Sequence, residues 1–358
     1  MNTLSDTLEK HFTEKKFKIK VIVSTSKESG EGEHKLFTYI RDNDFKEKRI
    51  VISGLDSDLI MLGLINKENT GKMYILREEV KENKRKEVKI LDIGELKEKI
   101  ENRISVLEYM LICLLLGNDY LPHMVGINVR RNGVEKLLET YERMKKRLVK
   151  EKKIDWKKFM EYIGELAKNE RENIKEEYKK REKEERVCIM LLSREEKIEN
   201  VALICREKEK YICPEEEGWE SRYYRTIFGI RKEEEKKKKV KEYKEMIEWV
   251  FEYYQGVEKE EKMYKGMHGP LLKDICKYNE RVELKEHKGE KMEKEKLLYA
   301  LSKEDREMLL GEGGKEEKKE KEEYDWCFCR YLWEYDPKLP DIEIKEMKSI
   351  IENDSALV

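Results

Sequence analysis

Residues 49–64 read RIVISGLDSDLIMLGL, and this stretch decides the predicted fold. Its first five residues are typical of a strand, and the apolar spacing of residues 57–64 is typical of a helix. Asp56 and Asp58 lie between the two. Two aspartates at the carboxyl end of a strand form a candidate ligand site, because open α/β sheets bind ligands there. A helix N-cap at Asp58, with Asp56 in the turn, explains them equally well.

Further strands and helices are predicted on both sides of this stretch. Residues 17–24 alternate between apolar and polar side chains and predict a strand, and residues 72–76 predict another. Helical patterns at residues 33–41 and 57–64 fall between them. Residues 104–116 are apolar nearly all round, which predicts a buried helix. Strands that alternate with helices favour an α/β fold whose sheet has helical crossovers.

From about residue 128 onward the pattern is almost entirely helical. Apolar residues recur at helical spacing in residues 134–149, 154–166 and 243–254. Three stretches of mixed-sign charge interrupt this region, near residues 168–187, 231–242 and 313–323. We interpret them as solvated helices or mobile insertions, with RNA-contacting arms as the alternative.

Composition excludes several classes of protein. Of 358 residues, 44% are charged, with 78 Lys+Arg against 79 Asp+Glu, so no overall field attracts the chain to nucleic acid. The longest apolar stretch, residues 109–116, is too short to span a bilayer, and the first residues lack a signal-peptide pattern. Seven scattered cysteines predict reduced thiols in an intracellular compartment, with Cys327 and Cys329 packed in a core.

Two further segments carry acids. In GEGEHK, residues 30–35, Glu31 and Glu33 stand where a predicted strand turns into a helix, and the positive helix N-terminus tolerates acids there. Helix capping explains one glutamate, but it does not explain both glycines. In GNDYLPH, residues 117–123, Asp119 follows the most apolar helix and is expected at the mouth of a core.

If these turns share one edge of the sheet, their acids converge. The five are Glu31, Glu33, Asp56, Asp58 and Asp119. Converged carboxylates stay ionised only with bound cations, and oxygen ligands select Mg²⁺ or Mn²⁺. Two such ions about 4 Å apart clamp a phosphodiester and activate water.

A calcium-binding loop at Asp56 and Asp58 is disfavoured, because the rest of the pattern D-x-[DN]-x-[DN]-G is missing. We interpret His34 and His123 as structural residues, with contact to the substrate as the alternative.

In this order, the acidic segments resemble the motifs of the Xrn-type 5′→3′ exoribonucleases, within the flap-endonuclease-like group of metal-dependent nucleases. GEGEHK is similar to the glycine–glutamate motif, GLDSDLIMLGL to the paired-aspartate motif, and GNDYLPH to the third acidic motif. WVFEYYQG, residues 249–256, resembles a later family segment. The resemblance implies a partial PIN/flap-endonuclease-like α/β lobe with a mixed, mostly parallel sheet over residues 1–95. A mainly α-helical domain is implied over residues 96–358.

The resemblance also implies the chemistry. The five acids are implied as catalytic residues and as ligands, or supports of ligands, for Mg²⁺ or Mn²⁺. Implied substrate contacts are His34, Lys35, Asn118, Tyr264 and His268. The implied reaction releases mononucleotides from RNA with a 5′ monophosphate, in mRNA decay or RNA processing, with decay or processing factors as partners. The cytoplasm is favoured over the nucleus because three glutamates precede the basic run at residues 236–239.

Two departures from the family pattern keep alternatives open. Family members carry a long segment ahead of the glycine–glutamate motif. It supplies two further aspartates and a basic pocket for the 5′ phosphate. We expect these aspartates and this pocket to be absent here. Residues 258–270 lack the tryptophans of the family, so base stacking there is expected to be weaker. The alternatives are an impaired RNA-binding or scaffold protein, and one part of a split or truncated nuclease.

Overall fold

The computed structural model describes residues 2–14, 18–25, 28, 30–80, 86–257, 262–278, 282, 324–334 and 336–337. The helices are α1 (Asn2–Glu14), α2 (Gly32–Asp42), α3 (Asp58–Asn66), α4 (Ile93–Glu101), α5 (Val106–Cys113), α6 (Gly133–Met144), α7 (Trp156–Ala167), α8 (Glu170–Leu191), α9 (Arg194–Glu199), α10 (Val201–Ile204), α11 (Glu207–Ile212), α12 (Trp219–Phe228), α13 (Glu233–Tyr254) and α14 (Leu272–Lys277). The strands are β1 (Phe45–Ser53), β2 (Thr70–Val80), β3 (Lys86–Asp92), β4 (Val149–Lys150), β5 (Lys153–Ile154), β6 (Tyr324–Asp325) and β7 (Asp336–Pro337). None of the helices in these residues is long and apolar enough to cross a bilayer.

The chain divides into two compact units. Unit 1 comprises Met1–Cys113, Tyr141–Asp155 and Val250–Glu258. Unit 2 comprises Leu114–Thr140, Trp156–Trp249 and Lys259–Val358. The last residues of α13, from Val250 onward, therefore belong to unit 1. This spatial division does not test the domain boundary predicted near residue 95, which stays a prediction.

The sheet of unit 1 is mixed. β1 and β2 pair in parallel, with Ile52 opposite Ile75, and α3 provides the crossover that a parallel pair requires. β2 and β3 pair antiparallel, with Tyr74 opposite Asp92. Met73 of β2 and Leu62 of α3 are fully buried, so the apolar residues of this strand and helix do form a core. The predicted α/β lobe with parallel pairing, followed by a mainly helical region, is confirmed.

The strand predicted at residues 17–24 is wrong over residues 18–24, which form no strand. Ile19 and Ile22 are 74% and 57% exposed, so these two side chains do not pack into a core. Alternation is a local pattern, whereas a strand also needs a neighbour with which its backbone can pair. Conversely, β3 was not anticipated, and it forms the antiparallel edge of the sheet.

Unit 2 is built from helices around aromatic side chains. Trp219, Tyr223, Tyr224, Cys327 and Phe328 belong to one buried cluster. α14 packs against α7. The burial of Cys327 agrees with the core packing predicted for it, because a free thiol behaves as a small apolar group.

The three charge-rich stretches differ in their structure and burial. Residues 168–187 lie largely in α8, but Glu170, Arg181 and Glu185 are buried, so the interpretation of this stretch as solvated is wrong for these three charged side chains. Residues 231–242 cover the first turns of α13. The stretch at 313–323 lies outside the described residues.

Candidate functional site

Glu31 lies at the N-terminus of α2 without capping it. It occupies the N-cap position, yet its side chain makes no capping hydrogen bond. Instead, its Oε2 accepts a hydrogen bond from the Tyr253 hydroxyl at 3.3 Å. Glu33 follows in the first turn of the helix and is half-buried. The capping explanation therefore fails for the side chain of Glu31.

The two aspartates of the paired motif have different surroundings. Asp56 is exposed, and its Oδ1 accepts the backbone N–H of Asp58 at 3.0 Å, which is a local turn contact. Ser57, and not Asp58, is the N-cap of α3. Asp58 Oδ2 accepts the Tyr254 hydroxyl at 2.6 Å. The turn explanation thus applies to Asp56, whereas a residue 196 positions along the chain orients Asp58.

His34 stacks against the same helix end. Its ring lies 3.9 Å from the Tyr253 ring, centroid to centroid, with an interplanar angle of 28°. Burial lowers the pKa of His34 to about 4; Glu31 opposes this shift and Arg41 adds to it. The imidazole is therefore neutral at pH 7, and it presents a flat, uncharged ring beside the glutamate.

Lys35 fastens the segment that precedes the glycine–glutamate motif. Its Nζ donates to the backbone carbonyl of Thr25 at 2.9 Å and to that of Glu28 at 3.0 Å. These two hydrogen bonds tie the backbone at Thr25 and Glu28 to α2, which carries Lys35. Its predicted contact with substrate stays a prediction.

The turn GNDYLPH in unit 2 is held by the Asn118 side chain and by a close approach of its backbone at Gly117. Asn118 Oδ1 accepts the N–H groups of Tyr120 at 3.0 Å and Leu121 at 2.8 Å. Gly117 has φ +85°, and a Cβ there would meet the backbone nitrogen of His123 at 2.7 Å, so only glycine fits. Asp119 is exposed on this rigid turn.

Tyr264 and His268 also lie in unit 2. Tyr264 is buried, and its hydroxyl donates to the carbonyl of His268 at 2.9 Å. Burial lowers the pKa of His268 to about 4, so its imidazole is neutral at pH 7. Both residues line a cavity of about 700 Å³ together with the GNDYLPH turn.

A metal site requires several ligands within reach of one ion. In the part of the chain that the structure describes, no group of three or more His, Cys, Asp or Glu side chains could hold a metal ion. Glu31, Glu33, Asp56 and Asp58 belong to unit 1, and Asp119 belongs to unit 2. The described carboxylates therefore do not complete an ion site by themselves, and the convergence of all five stays a prediction.

The structure adds two residues that the sequence did not assign to the site, Tyr253 and Tyr254. Both stand in the WVFEYYQG segment, where their helical spacing predicts only an apolar helix face. A hint was available, because two consecutive tyrosines at a helix end present hydroxyls to more than one neighbour. Their partners, Glu31 and Asp58, were not deducible, because the contacts cross about 200 residues of sequence.

Comparison with known proteins agrees with the order of these motifs. The family model described as the XRN 5′-3′ exonuclease N-terminus matches residues 1–79, and the model described as the Xrn1 helical domain matches residues 99–212. A curated "5′-3′ exoribonuclease 1" of Homo sapiens is 25% identical over 323 residues, covering 69% of this chain and 19% of the relative. A "5′-3′ exoribonuclease 2" of Debaryomyces hansenii is 28% identical over 169 residues, covering 35% of this chain and 17% of the relative.

A further relative, the "5′-3′ exoribonuclease 2" of Chaetomium globosum, is 30% identical over 181 residues, covering 35% of this chain and 17% of the relative. The chain spans about a fifth or less of the length of these three curated relatives. The first family match contains the glycine–glutamate and paired-aspartate motifs, and the second contains GNDYLPH. The predicted resemblance is thereby confirmed: the chain belongs to the Xrn-type 5′→3′ exoribonuclease family.

Proposed function

We propose that this chain is a 5′→3′ exoribonuclease that hydrolyses RNA bearing a 5′ monophosphate to mononucleotides, in mRNA decay or RNA processing. One observation carries the proposal. The consecutive residues Tyr253 and Tyr254 contact Glu31 and Asp58, so acids from two separate motifs meet the end of one helix. Family membership supplies the class of reaction.

Mg²⁺ or Mn²⁺, as two ions, is the proposed cofactor. The described residues do not complete a site for it, so we derive no catalytic step through the metal. The contribution we assign to unit 1 is positional. Tyr254 orients the Asp58 carboxylate, Tyr253 contacts Glu31, and the neutral His34 ring stacks against Tyr253.

The incomplete ligand set favours a second candidate function. An RNA-binding or scaffold protein, or one part of a split or truncated nuclease, needs no complete ion site in its described residues. The two candidates differ in one measurable property, which is hydrolysis by this chain alone.

The test is a nuclease assay on the purified 358-residue chain with Mg²⁺, with Mn²⁺, and with EDTA. Two RNAs of one sequence carry a 5′ monophosphate or a 5′ triphosphate. Release of mononucleotides from the monophosphate RNA alone, abolished by EDTA, is the expected result. Binding of RNA without hydrolysis under every condition contradicts the enzyme and favours the second candidate.

A matched pair of variants separates charge from turn geometry. Asp56 and Asp44 are both exposed, and each accepts the backbone N–H two residues ahead, at 3.0 and 3.1 Å. Asparagine keeps that acceptor in both cases. Asp56→Asn is expected to lower activity at least hundredfold, and Asp44→Asn is expected to leave it unchanged. Equal activity of the two variants would remove Asp56 from the site.

Localisation and partners are part of the proposal as well. We place the protein in the cytoplasm and expect RNA-decay or processing factors among its partners. Imaging of the tagged chain tests the first statement, and nuclear accumulation contradicts it. Co-purification with and without ribonuclease treatment tests whether a partner is bound directly.

A further inference from the structure

β1 presents an exposed apolar side chain at the edge of the unit 1 sheet. Val51 is 56% exposed, although it stands between Ile50 and Ile52 in an apolar run. Ile52 and the residue opposite it in β2, Ile75, are both buried. Because side chains alternate along a strand, Val51 points to the other face of the sheet. Parallel strands normally bury apolar side chains on both faces, so the exposure of Val51 marks a surface that lacks its cover.

The edge of β1 that faces away from β2 is open in the described part of the chain. β1 is the end strand of the order β1-β2-β3. The Gly54 N–H donates to the Leu76 carbonyl at 3.1 Å. The backbone groups of alternate residues in a parallel strand point to opposite sides. Those of Arg49, Val51 and Ser53 therefore point away from β2, towards the position of a further strand.

Part of this edge is protected against pairing with another chain. The register of β1 on β2 is irregular between Phe45 and Arg49, and Lys46 and Lys48 are exposed there. Bulges and lysines are two devices that keep an edge strand from pairing. Residues 50–53, which read IVIS, have neither device, and their register with β2 is regular. The unprotected part of the edge is therefore one short, well-defined segment.

This segment is complementary to itself. In an antiparallel pair with a two-fold axis at Val51, Val51 of one copy lies opposite Val51 of the second. Ile50 then lies opposite Ile52, and Arg49 lies opposite Ser53. Apolar residues meet apolar residues and no two like charges meet, which is the pattern that stabilises cross-strand pairs. The odd-numbered residues, whose backbone groups point to the open edge, are the ones that exchange hydrogen bonds in this register.

The charges on either side of the segment fit the same arrangement. The exposed Lys46 and Lys48 precede it, and the exposed Asp56 follows it. An antiparallel pair places the basic start of β1 in one copy beside the acidic end in the other, on both sides of the axis. A strand of another protein also satisfies an open edge, but the apolar register and the charge pattern together favour a second copy of this chain.

We propose that two copies of this chain associate through residues 49–53 of β1, which pair antiparallel about a two-fold axis at Val51. The two three-stranded sheets then form one continuous sheet, and each Val51 shields the other from water. This inference goes beyond the proposed function, because the association does not depend on hydrolysis.

The test is sedimentation of the full chain over a range of micromolar concentrations, where a reversible dimer is expected. Val51→Lys and Val51→Glu should each raise the Kd of the dimer at least about hundredfold, because like charges then meet at the axis. An equal mixture of the two variants should associate again, because lysine then meets glutamate. Val129→Lys is the matched control: this valine of unit 2 is 58% exposed, and its variant should dimerise as the wild type does.

Hydrogen exchange of the wild type, above and below the Kd, is the second measurement. The amides of Val51 and Ser53 should exchange at least about tenfold more slowly in the dimer, because they are donors at the joined edge. This measurement needs no variant to fold.

Each contrary outcome overturns the inference. A chain that stays monomeric does so, and so does a dimer that Val51→Lys leaves as tight as the wild type. Failure of the mixed variants to associate contradicts the two-fold axis at Val51. Unchanged exchange of the Val51 and Ser53 amides in the dimer excludes β1 as the interface. Hydrolysis is not read in these measurements, so the proposed function stands or falls separately.

Discussion

Asp58 of unit 1 and Glu209 of unit 2 are carboxylates held in opposite ways. Glu209 is fully buried between two arginines, Arg181 at 2.7 Å and Arg206 at 2.6 Å. Asp58 is half-buried and accepts a neutral tyrosine hydroxyl at 2.6 Å. A guanidinium orients a carboxylate and cancels its charge, whereas a hydroxyl orients it and leaves its charge in place.

This difference separates two uses of an acidic side chain. Glu209 belongs to a buried network in which Arg206 also pairs with Glu185 at 3.0 Å, and the backbone N–H of Phe328 donates to Glu209 at 2.8 Å. Such a network holds helices together, and it collapses if one member is lost. The Asp58 contact sets a direction for the carboxylate, which is what a binding or catalytic group requires.

The largest effect is expected from Glu209→Ala. The substitution leaves Arg181 and Arg206 buried without their shared partner, which costs about 3–5 kcal/mol of unfolding free energy. Chemical denaturation measures it. Glu217→Ala is the control, because its carboxylate is 96% exposed and its pair with Arg171 contributes less than about 1 kcal/mol. Similar losses in both variants would contradict the comparison.

Glu170 is a third kind of carboxylate. It is buried, and backbone N–H groups rather than arginines or a hydroxyl donate to it. It accepts the N–H of Leu272 at 2.6 Å and of Lys273 at 3.2 Å, yet burial raises its pKa to about 7, with Asp274 adding to the rise. Because the folded-state pKa lies above the usual value of 4.5, the stability it contributes is full below about pH 4.5 and is lost as pH rises through about 7. The change is up to about 3 kcal/mol.

Denaturation of the wild type and Glu170→Gln at several pH values between 4 and 8 measures this effect. The variant should lose the pH-dependent part in this window, because glutamine does not ionise. Glu217→Gln should keep the wild-type profile. An unchanged slope in Glu170→Gln would show that another group titrates.

Asp58→Asn is expected to abolish activity without unfolding the chain. Asparagine still accepts the Tyr254 hydroxyl but lacks the charge, so activity should fall at least hundredfold, or about 2.7 kcal/mol of transition-state stabilisation. The change in stability should stay within about 0.5 kcal/mol. The nuclease assay and a denaturation curve are read together. Unfolding of this variant would place Asp58 with Glu209 as a structural acid.

Tyr254→Phe should give a smaller effect than Asp58→Asn. Removal of one hydrogen bond costs about 1 kcal/mol of stability, and activity should fall about tenfold because Asp58 loses its orientation. Tyr253→Phe is the comparison, since its contact with Glu31 is longer, 3.3 Å, and should matter less. Full activity of Tyr254→Phe would show that Asp58 is positioned by other contacts.

Local patterns predicted the parts of the fold that local forces control. The strand at residues 49–53 and the helix after it were predicted correctly, because their apolar residues include the buried Ile52, Leu59, Leu62 and Leu64. Residues 18–24 show the limit, since their alternation was local, yet they form no strand and Ile19 and Ile22 are exposed. The burial of Arg181 within a charge-rich stretch was equally unpredictable, because composition does not reveal that Glu209 lies within reach.

The sequence by itself determined the α/β-then-helical order and the family, because hydrophobic periodicity and short motifs are properties of neighbouring residues. Only the tertiary structure decided that Tyr254 orients Asp58, and that residues 117–123, 266–268 and 328–331 line one cavity. Contacts of this kind join residues far apart in the chain, and they form only when packing brings distant elements together. No local pattern in the sequence records which partner such a residue will meet.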